Sequence, residues 1–512
     1  MPEVTFAADL TVCTTGPPDC QSTSIQEAVD AASTGDVIKV AAGTYTGVHK
    51  LDRSRQVLYI DKTVTIRGGY TAPDYADPPD PDANPTTLDA QRRGRVIYIS
   101  RNIEPTVEGL RITGGRVAGA GLAGGGGVYV DRASATLSGN QVFANDAVVG
   151  GGLFLKGSNA ILLDNVISGN TASNGGGVQL DHSPATLLGN IVESNTADQA
   201  GGISVSLSAA VLMDNHISGN VAGSGGGLTL WRSTATLSGN TVSGNTANVA
   251  GGGVWVRESD ATLSENTISG NTAQSGGGLQ VWESAATLTN NTISGNSADW
   301  GGGLNLGDSP ATLTANRIAD NSAIEQGGGL YVNGSNATIR DNTISGNSAG
   351  GSGGGLVLAS GDAALRGNSI TNNLAGYGGG LNLYFSEATL VDNIILGNTA
   401  TLGCGGGLDL NNSDNATVSG NTISSNTAGC GGGLYLNDSD AAISDNIIED
   451  NTATNWSGGG LDLYESDATL SGNAISGNQA SDNGGGLNLN SSDATLSRNT
   501  ISGNLASWGG GL

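Results

Sequence analysis

The chain has 512 residues, 85 of them glycine, and 20 basic against 46 acidic side chains give a formal charge of −26. Glycine without a three-residue period excludes a collagen triple helix, and 37% hydrophobic residues are too many for a disordered chain. Apolar runs of four or five residues fall far short of a bilayer-spanning helix, and the acidity argues against a nucleic-acid partner, which needs clustered Lys and Arg.

Residues 1–12 have neither a basic start nor an apolar stretch, so no signal peptide is expected there. Ser24 to Ala32 then reads as a short amphipathic helix. Ile25, Ala28, Val29 and Ala32 share one face, and Ser24 with Glu27 three residues on makes a capping box. A strand follows at Val37–Val40, with irregular coils expected at Val64–Arg67, Val96–Ile99 and Val107–Ile112. Residues 71–94 interrupt them. Pro73, Pro78, Pro79, Pro81 and Pro85 predict an extended surface loop, with a ligand-binding lid as the alternative. Arg92, Arg93 and Arg95 come next. Residues 1–123 are therefore read as a cap and first coils.

From residue 124 to 512 a repeat takes over. A glycine triplet followed by an aliphatic residue recurs from Val128 to Leu512, on average every 25.6 residues; only the copy before Ile203 has two glycines. One copy, residues 225–247, reads GGGLTLWRSTATLSGNTVSGNTA. Four positions per copy stay aliphatic, among them Leu228, Leu230, Leu237 and Val242, and their neighbours are mostly polar. Alternation at period two, with Gly, Asn and Ser at the turns, predicts three short strands per coil and no helix. A parallel β-helix fits, each coil stacking on the last at ~4.8 Å and burying its apolar ladder collectively. Two asparagines per copy never change (Asn140 to Asn499, and Asn145 to Asn504). A primary amide both donates and accepts, so stacked amides can bond along the solenoid axis.

The motifs carry resemblances. The segment from the helix through Gly35-Asp36-Val37-Ile38-Lys39-Val40 and the AAGTY at 41–45 resembles the N-terminal cap of pectin-lyase-like proteins. The repeats are similar to those of that superfamily, which implies a right-handed parallel β-helix. Gly-Gly-Gly-Leu/Val with a following IxxN also resembles the repeats of chlamydial polymorphic outer-membrane adhesins. The aspartate, arginine and histidine motifs of polygalacturonases are absent. Leu180-Asp181-His182-Ser183 faintly resembles a pectate-lyase segment, without that family's arginine motif; Asp181 and His182 are the only catalytic candidates, and a non-enzyme is favoured.

Four cysteines fall into two pairs. Cys13 and Cys20 bracket a short loop, and Cys404 and Cys430 hold the same place in consecutive coils, within disulfide reach once stacked. Pairing predicts an oxidising, extracytoplasmic location; free thiols are the alternative. Aromatic residues gather at or just after the first strand of a coil: Tyr129, Phe154, Trp231, Trp255, Trp282, Tyr331, Tyr384, Tyr435 and Tyr464. Variation on one face of a solenoid suggests a binding surface, here for sugar rings, and the competing reading is ordinary cross-strand packing. Glu387, Asp414, Asp440, Asp467 and Asp493 form an acidic stripe, either merely solvated or holding Ca2+. Outward Thr ladders raise a further idea, ice binding, which Val211 and Ala364 interrupt.

Together these readings predict an all-β, right-handed parallel β-helix with a capping helix, three short strands per coil and an uncapped C-terminal end that continues into, or packs on, another domain. Its expected role is a secreted or cell-surface rod with an adhesive face for a polysaccharide or cell-surface glycan. A polysaccharide lyase or glycoside hydrolase is the second reading. No cofactor beyond Ca2+, no transmembrane segment and no nucleic-acid partner is expected.

Overall fold

The computed structural model describes residues 7–51, 54–118 and 124–512. The chain divides into two compact units, residues 1–246 and 247–512. Each is a parallel β-solenoid.

The first unit begins with a strand the sequence pattern does not mark, Asp9–Val12, paired in parallel with Val37–Ala41. Between them lies the expected helix, Ile25–Ala31, with Ile25, Ala28 and Val29 buried. Ser24 is its N-cap, and its hydroxyl accepts the Glu27 N–H at 3.3 Å. The capping box closes indirectly. Ser22 accepts the Ser24 N–H at 3.0 Å and donates its own hydroxyl to Glu27 at 2.9 Å. Residues 71–94, expected as one extended loop, are broken by a strand, Thr86–Asp89, paired with Gly43–Tyr45 and Leu110–Thr113. Thr86 and Leu88 are fully buried, an alternation the surrounding prolines mask in the sequence.

In both units the expected strands recur in register. In the second, Leu279–Trp282, Thr287–Thr289 and Thr292–Ser294 stack on Leu304–Gly307, Thr312–Thr314 and Arg317–Ala319 of the next coil. Most coils add a fourth strand of two to five residues, such as Ser297–Trp300 on Ser322–Gln326. The aliphatic ladders form the core: Leu330, Val332, Ile339 and Ile344 are 0–1% exposed. Each such side chain contributes about 1.5–3 kcal/mol, realised only when coils lie above and below.

The glycine triplet turns a corner for two different reasons. Gly276 has φ +60°, a backbone region that costs other residues. A Cβ on Gly276 would also meet Leu279 O of its own coil at 2.5 Å, whereas Gly277 and Gly278 are needed for close approach to the next coil, where a Cβ would lie 2.4 Å from Ser297 O and 2.6 Å from Gly303 O. The two-glycine copy obeys this logic: Ala200 takes the first position at φ +56°, and Gly201 and Gly202 keep the positions packed on the next coil.

The asparagine ladders bond as the repeat predicts. Asn296 Nδ2 donates to Ile268 O and to Asn321 Oδ1, both at 3.0 Å, while its Oδ1 accepts the backbone N–H of Asn271 at 2.9 Å. Asn170 repeats the arrangement in the first unit with Val142 O and Asn195 Oδ1. Both amides are 0–1% exposed, so every bond replaces one that water cannot make. Both cysteine pairs are disulfides, with Cα atoms 5.8 Å apart for Cys13–Cys20 and 4.5 Å for Cys404–Cys430 across adjacent coils.

Candidate functional site

The first strand of each coil carries two inward aliphatic residues. One outward residue sits between them and another follows at the strand end. The aromatic residues singled out in the sequence divide between these two outward positions. Tyr129, Phe154, Trp255, Tyr331 and Tyr435 occupy the middle; Trp231, Trp282, Tyr384 and Tyr464 occupy the end. The middle position is covered by the glycine corner, because a Cβ on Gly405 would lie 2.6 Å from that of Asp409. Middle residues are consequently buried or half-buried, and the end residues are exposed.

In the first unit the middle ladder is spent on packing. Tyr59, Tyr98, Tyr129 and Phe154 stack in consecutive register with ring centroids 5.2–5.4 Å apart. Tyr129 and Phe154 are only 8% and 7% exposed, so their faces are unavailable for stacking on a sugar ring. Burial, with Asp131 nearby, pushes the Tyr129 hydroxyl up to about 12. Trp231 stands exposed at the strand end with the Arg232 guanidinium 4.9 Å from its ring.

The second unit places predicted aromatics around a cleft of about 360 Å³. Tyr331, Asn382 and Asp409 come from middle positions, Tyr384 and Asn411 from strand ends, and Gln326, Ser352 and Tyr377 from the facing corner. Asp409 is 4% exposed and accepts Asn411 Nδ2 at 2.7 Å and Asn382 Nδ2 at 3.1 Å. Burial pushes its carboxyl up to about 7, although the two amides pull the other way. Tyr435 and then Asp462 follow it in register. Burial likewise lifts Asp462 to about 6 against its bond from Asn488 Nδ2, and lifts Tyr435 to about 12 with help from both carboxylates. A buried carboxyl raised toward neutrality in a cleft with aromatic walls makes this cleft the candidate functional site.

Other sequence expectations fare differently. Trp255, Trp282 and Tyr464 do not line this cleft; Arg257 lies 5.7 Å from the Trp255 ring, and the Trp282 ring lies over Gly307. Asp181 and His182 do meet, Oδ1 to Nδ1 at 2.7 Å, but His182 is exposed, in the left-handed region at φ +50°. Along the acidic stripe four of the five carboxylates accept from the next coil. Asp414 takes the Asp440 N–H at 3.2 Å, Asp440 the Asp467 N–H at 2.7 Å, Asp467 the Asp493 N–H at 2.6 Å, and Glu387 the Asn415 amide at 2.9 Å. Among the described residues no three acidic, His or Cys side chains converge to hold a metal ion. Sequence reasoning missed Tyr377, Gln326 and Ser352. Their signal is that the residue just before each glycine triplet varies as freely as the strand face.

The sequence matches the description "Right handed beta helix region" over residues 89–222, 226–400, 277–446 and 406–511. The chain belongs to the right-handed β-helix family. No curated protein sequence matches it. Among solved structures, this β-helix chain is similar to the pectin methylesterase from Aspergillus niger, at 14% identity over 56% of this chain and 86% of that one, with a TM-score of 0.30. It is also similar to pectate lyase Pel9A (12% identity, 79% of each chain, TM-score 0.25) and to the PL6-family alginate lyase AlyGC (12% identity, 98% of this chain and all of that one, TM-score 0.23). At these identities the likeness concerns the fold alone. Among the described residues no helix is long and apolar enough to cross a membrane.

Proposed function

We propose that this β-helix protein is a secreted or cell-surface glycan-binding scaffold, adhesive in role, whose contact with sugar is the Asp409 cleft of the second unit. The carrying observation is the pairing of exposed tyrosine faces, Tyr377 and Tyr384, with a floor of Asn382, Asp409 and Asn411. Aromatic faces stack on the apolar side of a pyranose, while amides and a carboxyl hold its hydroxyls. The two disulfides support an oxidising location. A glycan array probed with the full chain and with Tyr384→Ala tests the reading. Binding to a defined glycan class, lost in the variant, supports it; binding unchanged in the variant, or none at all, counts against it.

A second reading, a polysaccharide-degrading enzyme, draws on the raised Asp409 pKa, which suits a proton-transfer group at neutral pH. Release of reducing ends or unsaturated uronate, abolished by Asp409→Asn, would favour it over pure binding. Turnover lost instead on Asp181 or His182 substitution would move the chemistry to the first unit.

A further inference from the structure

We propose that the cleft formed by Lys50, Arg55, Arg93, Arg95 and Arg116 in the first unit binds a doubly charged tetrahedral oxyanion, phosphate or sulfate, free or as the ester of a small sugar. A quarter of the chain's 20 basic residues line this one space of about 230 Å³, in a protein of net charge −26. No acidic side chain lines it among the described residues.

One glycine assembles the cluster. Gly94 packs so tightly on the neighbouring strand that a Cβ would lie 2.3 Å from Arg55 O, and its own carbonyl accepts the Arg116 N–H at 2.7 Å. The flanking Arg93 and Arg95 are thereby brought beside Arg55 and Arg116. Lys50 and Arg55 face each other directly across an antiparallel pair, His49–Leu51 with Ser54–Ile60. Like charges in that relation repel.

The protein answers some of these cations and leaves Lys50 and Arg55 to solvent. Arg95 is 3% exposed, held by Nε to Gly125 O and Nη2 to Gly124 O, both 2.9 Å, and stacked against Tyr98 and Tyr129. It is a fixed, desolvated guanidinium rather than a waving surface arm. Arg93 Nη2 donates to Thr46 O at 2.7 Å, and Arg116 lies 3.6 Å from Asp146, which Arg92 also engages. The Lys50 and Arg55 side chains make no hydrogen bond or ion pair with a described residue. The Arg55 guanidinium, with the Lys50 ammonium across from it, offers donors that match tetrahedral oxygens, and the held Arg95 adds fixed positive charge beside them. A dianion offsets two of the five charges where a carboxylate offsets one, and the volume admits one such group rather than a polymer.

The test is calorimetric titration of the full chain with sodium phosphate and sodium sulfate, against sodium chloride at equal ionic strength. The Lys50→Gln, Arg55→Gln double variant serves as control, since both side chains are exposed. The expected result is a dissociation constant of about 1 mM or tighter for either dianion. The double variant should bind at least about tenfold more weakly, with a melting temperature in chloride equal to or above that of the parent. A hexose phosphate titrated in parallel separates the sources: tighter binding than inorganic phosphate assigns an ester, weaker binding a free ion. Heat and melting shifts no larger than those of chloride, or equal affinity in the double variant, would overturn the proposal.

Discussion

Replacing Asn296 by Asp changes one atom and should break the second unit's stacking. The wild-type amide donates twice, to Ile268 O and Asn321 Oδ1, from a site 1% exposed. An aspartate keeps the bonds it accepts from Asn271 but leaves both of those acceptors facing a carboxylate oxygen. Two buried orphan acceptors cost about 1–3 kcal/mol each, and an uncompensated buried charge about 3–5 kcal/mol, so the loss is at least about 5 kcal/mol. The sign with pH follows. The folded-state pKa of this new group is raised above the unfolded ~3.9, so the penalty is smallest below that value. It then grows by about 1.4 kcal/mol per pH unit until the folded group ionises. Urea unfolding at pH 4 and pH 8, beside an exposed Thr287→Ser control held within about 0.5 kcal/mol, measures both. Equal loss in the two variants, or a penalty independent of pH, would refute the ladder argument.

Asp409, whose folded carboxyl sits near 7, should contribute stability that is complete below about pH 4 and lost as pH rises to 7. Asp409→Asn should remove that slope, read as a wild-type-minus-variant difference in unfolding free energy across the range, of up to about 4 kcal/mol. Gly277→Ala should cost more melting temperature than Gly276→Ala, because the first position tolerates alanine at Ala200, whereas at the second the carbonyls in the way, Ser297 O and Gly302 O, belong to the next coil. Tyr129→Ala should lose about 3–5 kcal/mol of stability, while the exposed Tyr384→Ala should melt within about 0.5 kcal/mol of the parent. Thermal melts in calcium and in EDTA should coincide, since the stripe carboxylates already accept backbone N–H groups and do not converge.

Much of this fold is legible because the coil repeats. Leu330 and Val332 announce a strand by period two, and Asn296 announces a ladder by never varying. What escapes is whatever lacks a partner copy. Asp9–Val12 is a strand only because Val37–Ala41 lies beside it, and Thr86–Asp89 is hidden among prolines. The site was half visible. Alternation reports that Tyr129 and Tyr384 both point away from the core, but not that the glycine corner and neighbouring rings bury the first and leave the second bare. Tyr377 varies before its glycine triplet, but the fold of the corner, not sequence spacing, brings it into the cleft with Asn382.

The most direct test of the glycan-binding account is calorimetry on a glycan taken from the array, comparing the parent chain with Tyr384→Ala and with Trp231→Ala as a control outside the cleft. The account predicts that Tyr384→Ala weakens binding at least about tenfold, about 1.4 kcal/mol, and that Trp231→Ala leaves it within about twofold. Equal weakening by the two, or none from Tyr384→Ala, would place the sugar elsewhere and contradict it.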